Sequence, residues 1–239
     1  MKKGFTLAEI LITLAIVGVV ASMTIPTLVS SNQKKVWANS LAKAANTIAN
    51  SLSLMISKDG SYGLSDSSLW EDVRNGMNLK DALVEHLGRT MVITGGTYNV
   101  VPKTLYGEEK STLFDDYTVI TTKADITYFI KIAEDSYNNH DINELDIVAD
   151  VIIDVNGKEA PNTIGKDIFG YLISDEGRLL PYGDFEDEPI IHGNLSTTSA
   201  GNSNRYSASW GAKCPDSNKT DSGFCCTGRV VTEGYQINY

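Results

Sequence analysis

A carboxylate at the head of an apolar segment is the first residue in this sequence whose type and position suggest chemistry. Glu9 follows Phe5 and Leu7, and residues 10–29 contain no charged side chain. A carboxylate within hydrocarbon costs about 2.5–3.5 kcal/mol on insertion scales, so it marks a function that involves a partner. The alternative is that Glu9 reaches the headgroups, because it lies near the membrane edge.

Three thiols form the second candidate group, at Cys214, Cys225 and Cys226. In an oxidising compartment beyond the membrane, a disulfide is expected. Adjacent cysteines rarely pair with each other, because the geometry is strained, so Cys214 pairs with either Cys225 or Cys226. A zinc site is the weaker interpretation, since three thiols of which two are adjacent lack ordinary ligand spacing.

Hard oxygen ligands form the third group, which comprises Asp154, Asn156, Asn162 and Asp167. Such carboxylate and amide oxygens are what calcium prefers, so the four residues are calcium candidates. Their spacing is not that of an EF-hand, because the glycine comes too early and the terminal bidentate glutamate is absent. We favour the alternative, an Asx-rich turn that satisfies its own backbone, and therefore expect no cofactor.

Patterns of catalytic residues are not found in the sequence. It contains no HExxH pair, no glycine-rich phosphate loop and no GxSxG elbow. The acidic run at residues 184–188 is typical of a solvated loop. The histidines are scattered through the chain, at His86, His140 and His192. We expect no enzymatic activity.

The element that positions Glu9 is the N-terminal apolar segment. Its 20 uncharged residues, 10–29, would span about 30 Å as a helix, the thickness of a bilayer core. The positive-inside rule keeps the basic flank of Lys2 and Lys3 in the cytoplasm. A cleaved secretory signal peptide is an alternative. However, the apolar region of such a peptide is typically about 7–15 residues long, which is shorter than the one here, and a carboxylate such as Glu9 has no function in it.

A short motif, Lys3-Gly4-Phe5-Thr6-Leu7-Ala8-Glu9, stands directly before this apolar helix. It resembles the prepilin signature of type IV pilins and type II secretion pseudopilins. In that family a membrane peptidase cuts on the cytoplasmic side, after the glycine, and methylates the new N-terminal residue. The resemblance implies cleavage between Gly4 and Phe5, N-methylation of Phe5, and retention of the apolar helix.

The same resemblance implies a role for Glu9 in assembly. Cleavage exposes an ammonium group on Phe5, and opposite charges attract strongly where the dielectric constant is low. Within one subunit the two groups are a turn apart and can pair. The family favours pairing between neighbouring subunits, which would set their axial register.

Residues 154–169 and the closing residues 226–239 form two further stretches of interest. Both resemble a pilin-like family of gut-type bacteria. Because this resemblance aligns Cys226, it implies a Cys214–Cys226 disulfide, with Cys225 as the alternative partner. Related pseudopilins hold calcium in their C-terminal loops, which adds weight to the calcium candidates.

Beyond the apolar segment, an amphipathic helix is predicted over residues 30–58. Apolar residues recur at spacings of three and four from Trp37 to Met55, which predicts a face packed on a sheet. Gly60 is a usual helix stop. Pro26 removes one backbone hydrogen bond, so we predict a kink there.

Short helices and then strands follow in the sequence. Composition and periodicity predict helices over 69–73 and 79–87, and strands over 117–122, 126–133, 147–155, 168–174 and 178–182. The expected fold class is α+β, with a long N-terminal α-helix, membrane-spanning in its first half, packed on a C-terminal antiparallel β-sheet. This is a pilin-like arrangement.

The expected organisation divides the chain into a leader and three further parts. These are the leader at 1–4, a transmembrane or filament-core helix at 5–29, an amphipathic helix at 30–58, and a globular pilin-like domain at 59–239 with a loop-rich region at 193–239. The net charge of −10 disfavours nucleic-acid binding by the bulk of the chain, because such binding needs a basic surface.

The expected function is a structural subunit of a type IV pilus or a type II secretion pseudopilus. Head-to-tail contacts between such subunits do not close and therefore give filaments. The expected partners are a prepilin peptidase/methyltransferase, other pilin or pseudopilin subunits and an inner-membrane assembly platform. The expected location is the inner membrane, single-pass, with the N-terminus cytoplasmic and the domain extracytoplasmic. The alternative is a membrane-anchored extracytoplasmic module that binds a glycan or surface ligand and does not polymerise.

Overall fold

A computed structural model describes residues 6–88, 90–95, 97–132, 147–182, 214, 223–224 and 226–239 of the chain. The chain divides into two units, Met1–Val36 and Trp37–Tyr239. The second unit holds the sheet and the buried core.

The longest element is helix α1, Leu7–Asp59. It ends one residue beyond the predicted bound, where Gly60 adopts a φ of +65°. Glycine enters this left-handed region without a Cβ clash. The amide of Ser61 then donates to the carbonyl of Ile56 over 3.3 Å, which satisfies one of the last helical carbonyls as in a Schellman motif.

Two short helices follow, as predicted. Helix α2, Ser68–Arg74, begins after Ser67, whose side chain accepts a hydrogen bond from the amide of Trp70. Helix α3, Leu79–Leu87, begins after Asn78, whose side chain accepts from the amide of Lys80 over 2.9 Å. Both caps satisfy amides that have no partner within the helix.

Five strands form one antiparallel sheet in the order β1-β2-β3-β4-β5. Their bounds are β1 Thr118–Thr121, β2 Thr127–Ile132, β3 Ile147–Asp154, β4 Ile168–Ser174 and β5 Leu179–Pro181. Ile130 lies opposite Val151, which lies opposite Tyr171. The predicted α+β fold, a long N-terminal helix with a C-terminal antiparallel sheet, is confirmed.

One face of the sheet packs against the second half of α1. Side chains of a strand alternate between the two faces, and those on this face join the main core: Ile120, Tyr128, Ile130, Ala149, Val151, Ile153, Phe169, Tyr171 and Ile173. The α1 residues in the same core recur at helical spacing: Ala38, Leu41, Ala44, Ala45, Ile48, Leu52 and Met55. The hydroxyl of Tyr128 also donates to the carbonyl of Ala44 over 3.1 Å.

The opposite face of the sheet is covered as well. Phe129 and Ile152 point to this side and form a second core with Tyr117 and Phe224. The ring of Phe114 stacks on that of Phe129, with their centroids 3.7 Å apart. Because both faces are covered, β3 and β4 are buried along almost their whole length.

A last helix, α4, Cys226–Thr232, was not predicted from the sequence. It lies in the part of the chain that was expected to be rich in loops. Cys226, Thr227 and Val230 are fully buried, and the hydroxyl of Thr227 accepts from the amide of Gly170 in β4 over 3.1 Å.

Candidate functional site

The start of α1 is held by a reciprocal pair of hydrogen bonds between Thr6 and Glu9. The amide and the hydroxyl of Thr6 both donate to Glu9 Oε2 over 2.8 Å. The amide of Glu9 donates back to Thr6 Oγ1 over 3.3 Å. This is a capping box, in which two residues three positions apart satisfy each other's free amides. Glu9 thus has a role within its own helix that was not predicted, although the Thr-x-x-Glu spacing is visible in the sequence.

The helix that follows is apolar on all sides and uncovered. Every large apolar side chain from Leu7 to Val29 is at least 42% exposed. Among the described residues, α1 is the one helix long and apolar enough to cross a membrane. Such a surface needs lipid or protein around it, because water does not solvate it favourably.

The few polar side chains in this apolar stretch are satisfied by their own helix. The hydroxyl of Ser22 donates to the carbonyl of Val19 over 2.8 Å. Other hydroxyls donate to carbonyls three or four residues earlier in the same way: Thr13, Thr24, Thr27 and Ser31. Hydroxyls paired in this way are compatible with a surrounding that offers no water.

Pro26 lies inside α1. It has no amide proton and so cannot donate to the carbonyl of Ser22, four residues earlier. The kink expected at this position stays a prediction.

The two residues of the predicted cleavage point, Gly4 and Phe5, lie outside the described residues. Residues 1–25 match the prokaryotic N-terminal methylation motif, the prepilin-cleavage signal of type IV pilins and pseudopilins. The chain carries a prepilin signal. Its N-terminal segment is therefore similar to that of the type IV pilin-like precursors that prepilin peptidase processes.

The match covers residues 1–25, about a tenth of the chain. No curated protein matches the chain. No solved structure matches it either.

The cysteines in the C-terminal region are brought together as the second resemblance implied. Cys214 and Cys226 form a disulfide, with their Cα atoms 4.9 Å apart. Both are buried, and Leu105 and Tyr239 pack beside them. Cys225, the alternative partner, lies outside the described residues.

The four calcium candidates do meet at the end of β3. Asp154 and Asp167 are fully buried. The hydroxyl of Tyr98 donates to Asp154 Oδ2 over 2.7 Å and lies 3.3 Å from Asn162 Oδ1. Burial raises the pKa of Asp154 to about 8 and that of Asp167 to about 6. Tyr98 reaches this cluster from a distant part of the sequence and was not predicted.

Most oxygens of this cluster accept a hydrogen bond from within it. Asp154 Oδ1 accepts from the amide of Asn156 over 3.2 Å. The two carboxylate oxygens of Asp167 accept from the amides of Asn162 and Thr163, over 2.8 and 2.6 Å. The cluster is thus an Asx-rich turn that satisfies its own backbone, the interpretation favoured from the sequence.

Calcium takes about six to eight oxygens, and the expectation that none binds at this cluster stays a prediction. Within these four residues, only Asn156 has a buried side-chain oxygen without a hydrogen-bond partner. The part of the chain that the structure describes also contains no group of three His, Cys, Asp or Glu side chains placed to hold a metal ion.

Proposed function

We propose that the mature chain is a structural subunit of a type IV pilus or a type II secretion pseudopilus, assembled through α1 and without catalytic activity. The observation that carries this proposal is the combination of a prepilin signal at residues 1–25 with an apolar helix that nothing covers. An apolar helix of this kind is stable in lipid or against copies of itself.

The fate of the apolar helix distinguishes this precursor from a secretory one. Prepilin cleavage removes only residues 1–4, so the helix stays with the exported domain. Before assembly, lipid covers the apolar surface of this helix. After a subunit moves from the bilayer into a helical stack, neighbouring subunits cover the same surface. Because the contacts between stacked subunits are head-to-tail, they extend into a filament.

Glu9 is the residue that we propose to control this step. In the single chain its carboxylate is held by Thr6 and lies on the helix surface. A methylated ammonium on Phe5 of a neighbouring subunit would offer it a full opposite charge. In a low-dielectric surrounding that attraction is larger than a hydrogen bond to a neutral donor.

The proposed location and partners follow from the orientation of the chain in the membrane. Lys2 and Lys3 keep the N-terminus in the cytoplasm, which places Trp37–Tyr239 outside it. The proposed location is therefore the inner membrane and then the pilus or pseudopilus. The proposed partners are a prepilin peptidase/methyltransferase, other pilin or pseudopilin subunits and an inner-membrane assembly platform.

The experiment that tests the proposal is the N-terminal mass of the chain recovered from cells that contain a prepilin peptidase. The expected mature chain begins at Phe5 and carries one methyl group on its N-terminal nitrogen. Replacing Gly4 by a bulky residue, Gly4→Leu, is expected to leave the precursor uncut. A mature chain that begins at Ser22, or one that keeps Met1 beside an active peptidase, would contradict the proposal.

A further inference from the structure

His86 of α3 is linked to three polar side chains from α1 and α2. His86 Nε2 lies 2.7 Å from Asp72 Oδ2 in α2. On the other side of the ring, His86 Nδ1 lies 3.1 Å from the hydroxyl oxygen of Ser68, the first residue of α2. Ser68 in turn contacts Asp59, the last residue of α1. The histidine is well shielded, with 15% of its side chain exposed.

The number of protons available fixes the direction of each hydrogen bond. Asp59 Oδ2 lies 2.9 Å from the amide and 2.6 Å from the hydroxyl of Ser68. An ionised carboxylate only accepts, and a serine hydroxyl has one proton. Ser68 therefore donates that proton to Asp59 and presents a lone pair to the ring of His86.

Both ring nitrogens of His86 consequently face acceptors. Nδ1 faces the lone pair of Ser68, and Nε2 faces the carboxylate of Asp72. A neutral imidazole carries one proton and can satisfy only one of these contacts, whereas the imidazolium donates from both nitrogens. The arrangement is complete only when His86 is charged.

We infer that His86 is a pH-sensitive clip, which joins the end of α1 to α2 and α3 when its ring carries both protons. The charged groups that interact with it are the carboxylates of Asp72 and Asp59, and Lys58 of α1 also interacts with Asp59. Loss of one proton leaves two acceptors opposed at one of the contacts. The clip therefore holds while the ring is an imidazolium and weakens in a medium basic enough to remove one of its protons.

The first test observes the proton count on His86 without altering the clip. The full chain is prepared in detergent micelles with ¹⁵N-labelled histidine and with His140→Gln and His192→Gln, so that His86 is the one imidazole left. At pH 7 we expect ¹⁵N shifts of two protonated nitrogens in the folded chain and a partly neutral ring in the chain unfolded by urea. A single protonated nitrogen in the folded chain at pH 7 would overturn the inference.

The second test measures what the clip holds, by hydrogen exchange of peptides from α2 and α3. A charge-assisted hydrogen bond at a partly exposed site predicts protection factors about tenfold higher at pH 6 than at pH 8. A local measurement is needed because Asp154 and Asp167 titrate elsewhere in the same unit. We expect His86→Gln and Asp72→Asn to remove this difference. Ser57→Ala, at an exposed position of α1, is the control and should keep it. An unchanged difference in His86→Gln would contradict the clip.

Discussion

At the scale of single residues, Glu9 has two uses that compete for the same oxygens. In the single chain its carboxylate caps α1 by accepting from the amide and hydroxyl of Thr6. In the proposed filament it accepts from the N-terminal ammonium of a neighbour. The cap needs only an acceptor, whereas the pairing between subunits needs a negative charge. The two uses can therefore be separated by substitution.

We predict that Glu9→Gln abolishes filament formation but leaves processing intact. Glutamine can still accept at the third helical position, so the cap is largely kept while the charge is lost. Thr6→Ala is the matched control, since it removes the capping hydroxyl, worth about 1 kcal/mol, and keeps the charge. The measurement is the amount of chain in sheared filaments, together with the mass of its N-terminus. Assembly of Glu9→Gln at the level of the unaltered chain would rule out the proposed pairing.

A second residue-scale prediction concerns the buried carboxylates of Asp154 and Asp167. Burial raises their pKa values to about 8 and about 6, from about 3.9 in the unfolded chain. Between these limits the two carboxyl groups bind more protons in the folded chain than in the unfolded chain, so their contribution to the free energy of unfolding is greatest near pH 4 and falls as the pH rises to 8. Each pKa unit is worth about 1.4 kcal/mol, so the rise from pH 5.5 to pH 8 costs about 3 kcal/mol through Asp154 alone, and each kcal/mol lowers the Tm of a unit of this size by roughly 2–4 °C.

The variant Asp154→Asn isolates the larger of the two contributions. An amide of the same shape cannot ionise, so we expect the difference in Tm between pH 5.5 and pH 8 to shrink in this variant. The measurement is thermal unfolding of the full chain in detergent micelles. His86→Gln, measured in parallel, shows how much of the pH dependence belongs to the clip. A Tm that rises from pH 5.5 to pH 8 would contradict the direction predicted here.

At the scale of elements, the connection between α1 and α2 packs closely against the turn between β4 and β5 and is hydrogen-bonded to it. The amide of Leu64 donates to the backbone carbonyl of Asp175 over 2.7 Å. The amide of Ser65 donates to Oδ1 of the Asp175 side chain, also over 2.7 Å. A Cβ atom on Gly63 would lie 1.9 Å from Asp175 Oδ2. Glycine is thus required here by close approach of the two segments.

We predict that Gly63→Ala destabilises the chain by about 1–3 kcal/mol, because the added methyl group forces the carboxylate of Asp175 out of its place. Asp175→Ala removes the obstructing group. In that background the additional effect of Gly63→Ala should fall below about 0.5 kcal/mol, as for a surface change. The measurement is a double-mutant cycle by urea unfolding. Equal effects of Gly63→Ala in both backgrounds would show that the clash is not the cause.

The elements also show what the sequence allows one to predict. The strands and α3 were predictable because alternation, β-branched residues and helix periodicity agree with the final structure. Helix α4 was not, since its segment contains Gly228, Val230 and Val231, which favour a helix poorly. It forms because tertiary contacts, among them the Cys214–Cys226 disulfide, override local preference.

The same limit applies to the candidate sites. The capping partner of Glu9 is three residues away and was within reach of the sequence. Tyr98 is 56 positions from Asp154, and His86 is 14 from Asp72 and 18 from Ser68. No spacing rule links residues that meet only when separate elements pack, so these groupings required the structure.

At the scale of the whole molecule, the chain consists of two units that expose different kinds of surface. Met1–Val36 exposes an apolar surface, whereas Trp37–Tyr239 buries its own core around the sheet. The loss of Lys2 and Lys3 on processing changes the side-chain charge from 20 − 30 = −10 to 18 − 30 = −12. Residues 37–239 alone carry a side-chain charge of 16 − 29 = −13, and this charge of one sign helps the exported unit to resist association.

This division predicts that a chain lacking residues 1–36 is soluble and monomeric. Its core residues from α1, such as Leu41 and Ile48, all lie within the retained part, so it should unfold cooperatively, as a single domain does. The full chain should instead partition into membranes or filaments. The measurements are sedimentation in buffer without detergent and circular dichroism on heating. Filaments formed by the truncated chain would place the assembly contacts outside α1's apolar stretch, and a full chain that stays soluble and monomeric without lipid would remove the basis of the proposed function.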